Sequence, residues 1–90
     1  MKLSTAVELA GIFGPETAPL ALRVLQVIER DDTRQYEAIE LLAAARIESI
    51  MDGMLVLARL TTKGLLSHPD IGRYASTVAG TQTARAAQAA

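Results

Sequence analysis

The chain has no cysteine and no tryptophan, one histidine, three prolines, and only two tyrosines and one phenylalanine among ninety residues. Without cysteine there are no disulfides, no thiolate metal ligands and no thiol nucleophile. With His68 alone, a zinc site would need carboxylates for its remaining ligands, and none cluster beside it in the sequence, so no metal and no cofactor is expected. No apolar run approaches the roughly 20 residues that cross a bilayer, and residues 1–9 lack the basic-then-apolar layout of a secretion signal. A cytoplasmic, non-membrane protein is therefore expected. Also missing are a nucleophile beside a base, a carboxylate pair poised for a cleft, and a glycine loop that cradles phosphate, which argues against an enzyme.

What is present is a chain half apolar, dominated by Ala and Leu with spaced charges, a composition that reads as mostly helical. Ninety residues hold one core and leave no room for a second. The near-zero net charge hides a split: five basic and nine acidic side chains fall at or before Asp52, four basic and one acidic after it. A polyanion would approach the C-terminal half.

Local punctuation bounds four helices. Thr5 and Glu8 have capping-box spacing for a first helix, which Gly14-Pro15 ends after Phe13. A second helix starts near Thr17 with Pro19 tolerated in its first turn, and its broad apolar face (Leu20, Ala21, Leu22, Val24, Leu25, Val27, Ile28) predicts a central helix touched from two directions. Asp32 with Gln35 reads as a further capping box opening a third helix over Ala38, Ile39, Leu42 and Ala43. Residues 33–63 contain no proline and one glycine, so one long helix or two are both compatible with propensity. Ser49 with Asp52 resembles a helix start, which places a turn near residues 45–48 and a fourth helix from Ile50 to about Thr62, closed by Gly64 in the left-handed conformation. Leu65–His68 and Arg73–Ala79 read as strands around a Pro69-Asp70-Ile71-Gly72 turn, with Gly80 as the stop. Residues 1–80 form the expected domain, and residues 81–90 an Ala-rich C-terminal tail.

This order resembles the winged helix-turn-helix of small bacterial transcriptional regulators, the ArsR-like and MarR-like families, over about residues 17–79. "ALRVLQVI" stands as the first helix and "AIELLAAA" as the helix before the turn. Ser49 caps the recognition helix, "LARLTTKGLL" is its end, and "GRYASTVA" is the returning strand. Leu57, Leu60 and Gly64 keep the spacing found before the wing. The resemblance implies a mainly α, small winged-helix-like domain with a short C-terminal β-hairpin; an all-α bundle is the alternative. It implies a homodimeric regulator of transcription that binds double-stranded DNA, with Ser49, Arg59, Lys63, His68, Arg73 and Tyr74 as the DNA-binding residues and a wing in the minor groove.

The fourth helix departs from that pattern. A recognition helix presents hydrogen-bonding and basic side chains to base edges and phosphates, whereas the outward positions here are Ile50, Met51, Met54, Leu55 and Ala58. A helix apolar on most of its circumference needs cover on most of it. At about 25 cal/mol per Å², several such side chains left in water forfeit several kcal/mol. Ile50, Met51, Met54 and Leu55 are therefore the expected partner interface, for a second subunit or for another protein. The second functional expectation is accordingly a helical protein-interaction module: an antirepressor, inhibitor or assembly factor.

Overall fold

The computed structural model describes residues 9–88, with side chains through residue 87. After a helical segment over residues 9–13, the chain forms α1 (Ala18–Arg30), β1 (Tyr36–Glu37), α2 (Ala38–Ala44), α3 (Ile50–Thr62), β2 (Leu66–Asp70), β3 (Arg73–Ser76) and α4 (Val78–Gln88). The fold is mainly helical, with a three-stranded antiparallel sheet in the order β1-β3-β2. The Thr5–Glu8 capping box lies outside the described residues.

Helix α1 is the centre. Ala18, Ala21, Val24, Leu25, Val27 and Ile28 are buried, and α2, α3, α4 and β3 all pack against it, as its broad apolar face predicts. Pro19 sits in the first turn, where its missing N–H costs nothing.

The turn after α1 departs from expectation. Asp32 and Gln35 form no capping box. The Asp31 carboxylate instead accepts from the Thr33 hydroxyl at 2.7 Å and from its backbone N–H at 3.4 Å, and the hydroxyl bond holds the carboxyl below its ordinary range. Tyr36–Glu37 then runs extended, and α2 starts at Ala38 without a side-chain cap. Strand β1 is only two residues long, too short to show alternation. Tertiary pairing makes it a strand: Tyr36 stands opposite Tyr74 and Glu37 opposite Arg73, while the Tyr36 hydroxyl donates to the Asp31 carbonyl at 3.1 Å.

Helices α2 and α3 are separate, as the Ser49 signal indicates; the Ser49 hydroxyl accepts from the Asp52 N–H at 3.3 Å. Both helices end in the same hydrogen-bond pattern. Ile47 N–H bonds Leu42 O and Arg46 N–H bonds Ala43 O after α2; Leu65 N–H bonds Leu60 O and Gly64 N–H bonds Thr61 O after α3. This Schellman geometry needs a left-handed residue at its hinge. Gly64 supplies it at φ +75, and Arg46 supplies it at φ +59.

The hairpin turns at Ile71–Gly72 and not at Pro69-Asp70, which belong to β2. Two β2 residues, His68 and Pro69, oppose the single Tyr74. That bulge accommodates a proline that cannot donate to the ladder. Strand β3 stops at Ser76. Thr77 then caps α4, its hydroxyl accepting from Gly80 N–H at 3.0 Å and donating to Gly64 O at 2.8 Å. Gly80 is thus inside a helix and terminates no strand. Residues 81–88, expected as a tail, continue α4, which docks on α1 through buried Ala84 and Ala87 and through an Arg85–Glu29 ion pair at 3.1 Å.

Candidate functional site

Helix α3 together with its cap residues Ser49 and Lys63 carries most of the expected site residues, and its helical geometry divides its surface into a buried side, an opposite exposed side and two shoulders. Gly53, Val56, Leu57 and Leu60 point into the core. Gly53 lets α2 come close, since a Cβ there would stand 2.6 Å from a Leu42 methyl. On the opposite side, Met51, Leu55, Ala58 and Thr62 are exposed, with Ile50 and Met54 on one shoulder. The other shoulder carries Asp52, Arg59 and Lys63, continued before the helix by Glu48. The expected interface residues are therefore outward-facing: Ile50, Met51, Met54 and Leu55 keep 58, 85, 40 and 47% of their surface in solvent.

The expected DNA-binding residues divide. Arg59 and Lys63 are exposed near the end of α3, and Arg73 is exposed at the base of the hairpin turn. Among the described residues the ion pairs are Arg34–Glu40 and Arg85–Glu29, so these three cations are uncommitted. Ser49 spends its hydroxyl on the cap. Tyr74 does not serve as expected: it is 6% exposed, held between β1 and the core, so its ring is unavailable to a nucleic acid. Its face is covered by His68, stacked at 4.6 Å between ring centroids and 12° between planes. His68 itself is exposed. Arg85 is turned to Glu29 on α1.

The hairpin is short. Arg73 and Tyr74, the first residues of β3, already pair with β1, so only Ile71–Gly72 extends past the sheet. Gly72 O accepts from Ala38 N–H at 3.1 Å, which fastens the turn to the start of α2. Ile71 is 95% exposed and lies with Ile39 around a shallow depression also lined by Glu37 and Arg73.

Arg34 lies over the Tyr36 ring at 4.3 Å and bonds Glu40, holding that carboxyl below its ordinary range. This cluster lies on the exposed β1–α2 corner. A groove between the 9–13 segment and α1 is lined by Leu9, Ala10, Pro15, Ala18, Pro19, Leu22 and Arg23. It brings one cation and no acid to an apolar wall, which is no constellation for acid-base chemistry. Among the described residues no group of three His, Cys, Asp or Glu side chains converges for a metal, and no helix is long and apolar enough to cross a membrane. Comparisons with family models, curated proteins and solved structures find no match for this chain.

Sequence reasoning missed two features of this surface: the left-handed Arg46 beside the start of α3, and the fastening of the hairpin turn to α2. Neither has a local signal. The first replaces the glycine that marks such a hinge, and the second is a contact between residues far apart in the chain.

Proposed function

We propose that this chain is a winged-helix regulator of transcription that binds double-stranded DNA, non-catalytically and as a homodimer. The observation that carries the reading is topological. Among the described residues, an α1-β1-α2-turn-α3-β2-β3 order with sheet order β1-β3-β2 leaves the outer side of α3 exposed. That is the placement by which a recognition helix enters a major groove. Arg59, Lys63 and Arg73 supply the cations for phosphate. The short hairpin limits the wing to backbone contact, because only two residues pass the sheet.

A fluorescence-anisotropy titration with a mixed-sequence duplex at several salt concentrations tests the reading. Three phosphate contacts in each subunit contribute a log–log salt slope near −2.7 per subunit, about −5.4 for the dimer, from about −0.9 per phosphate. The Arg59→Gln, Lys63→Gln and Arg73→Gln variants each flatten it by about one contact per subunit. Absence of salt-dependent binding at about 100 µM protein eliminates the reading.

A second reading rests on a different observation, the apolar outer stripe of α3. Met51, Leu55 and Ala58 offer base edges no hydrogen bonds, and Asp52 and Glu48 oppose phosphate at the helix start. This surface suits a protein partner, so the chain as a protein-interaction module is the alternative, and the same titration separates the two.

A further inference from the structure

The apolar stripe of α3 has an order that selects its cover. Met51, Leu55, Ala58 and Thr62 recur at spacings of four, three and four residues, the a/d seam by which two helices interdigitate. All four are exposed or at the solvent boundary of a 13-residue helix, and the opposite side alone is used by the core. Along one edge of the seam the charges run Glu48, Asp52, then Arg59, Lys63: acidic at the start, basic at the end. Asp52 and Arg59 are seven residues apart, about 10 Å along the axis, too far to pair within one helix. Neither takes part in the ion pairs found among the described residues.

We propose that α3 is an interface for a second copy of this chain, packed antiparallel across a two-fold axis. In an antiparallel pair the same edge of each helix meets its symmetry mate, and a residue i that touches j is matched by j touching i. Leu55 then faces the partner's Ala58 and Met51 faces the partner's Thr62, large against small in each layer. In that register Asp52 meets the partner's Arg59 twice over, once on each side of the axis, and Glu48 lies toward the partner's Lys63. A partner of one sign would satisfy half of this edge and repel the other half; a second copy satisfies both. About three turns of seam on each helix make the pair a concentration-dependent one, below the extent of a permanent interface.

One corollary alone rests on the duplex reading above. The pair covers the side of α3 that would enter a groove, so it is a duplex-free form, distinct from two copies seated on one DNA site.

Sedimentation velocity over a concentration series tests the pairing, with circular dichroism confirming that each variant is folded. The wild-type chain is expected to show a monomer–dimer equilibrium. Asp52→Arg and Arg59→Asp, each at an exposed position, weaken self-association about tenfold or more, because each variant sets like charges against each other at both sites. Mixed one to one, the two variants regain wild-type association as a heterodimer, since the exchanged charges are again opposite. Leu55→Glu abolishes pairing through the seam. A wild-type chain that stays monomeric to roughly millimolar concentration overturns the proposal. So do single variants that associate as the wild type does, or folded variants whose mixture fails to recover. A chain that pairs but ignores duplex in the salt titration loses the corollary and the DNA reading while keeping the interface; the opposite result loses the interface and keeps the DNA reading.

Discussion

Helices α1 and α3 have the same length, thirteen residues, and opposite outer surfaces. On α1 the buried stripe gives way to Arg23, Glu29 and Arg30, and α4 packs along part of the remaining surface. On α3 the inner stripe is as well buried, with Val56, Leu57 and Leu60 fully enclosed, yet the outer stripe is largely apolar again and none of the described residues lies over it. A helix that serves only a core ends its apolar face where water begins. An apolar face beyond that boundary adds nothing to the stability of the monomer, and a single fold does not account for it. The difference locates surface chemistry on α3 and scaffold on α1.

Adjacent leucines on α3 break the comparison most sharply. Leu57→Ala, which empties a fully enclosed site, is expected to cost about 3 kcal/mol in urea unfolding. Leu55→Ala, two residues earlier and on the outer stripe, is expected to stay within about 0.5 kcal/mol at concentrations where the chain is monomeric. Equal losses would mean that the outer stripe is packed after all.

The covering of α1 by α4 is tested next. A Cβ at Gly80 would stand 2.0 Å from the Leu65 carbonyl oxygen, a backbone atom that cannot swing aside. Gly80→Ala is therefore expected to cost about 2 kcal/mol, despite a helix-propensity gain of about 1 kcal/mol. Gly53→Ala meets the Leu42 side chain and no backbone atom among its nearest neighbours, and with the same propensity gain it is expected to cost less than Gly80→Ala, about 1 kcal/mol. A thermal or urea series on the two variants checks the order.

The smallest effect concerns the hinge that leads into α3. Arg46 holds a left-handed conformation in which Gly64 sits without strain at the equivalent hinge after α3. Arg46→Gly is expected to stabilise the fold by about 0.5–1 kcal/mol, and Gly64→Ala to destabilise it by about 1 kcal/mol. Opposite signs at two hinges of identical hydrogen bonding would show that backbone conformation decides the outcome. An unstable Arg46→Gly variant would assign the arginine side chain a structural role.

Much of the helical layout was legible because its signals are local. Gly14-Pro15 ends the first segment, Pro19 marks a first turn, Ser49 caps α3 and Gly64 closes it. The misreadings share one cause: a local pattern was outbid by a distant partner. Asp32 and Gln35 look like a cap, but residues 36–37 find β3 and become a strand. Arg73–Ala79 alternates like a single strand, but Thr77 caps a helix that Leu65, Ala84 and Ala87 anchor. Tyr74 looks like an exposed wing residue because alternation gives no clue to which side of a short strand is covered; pairing with Tyr36 and stacking by His68 settle that.

The sequence by itself determined where α1 and α3 begin and end and that α3 is too apolar for one buried side, since capping geometry, glycine conformation and helical spacing act within a few residues. Tertiary structure alone decided that Tyr36–Glu37 joins the sheet, that Tyr74 faces inward and that the C-terminal residues dock as α4. Those outcomes depend on which surfaces remain to be covered once α1 is in place, a competition for burial among segments distant in sequence.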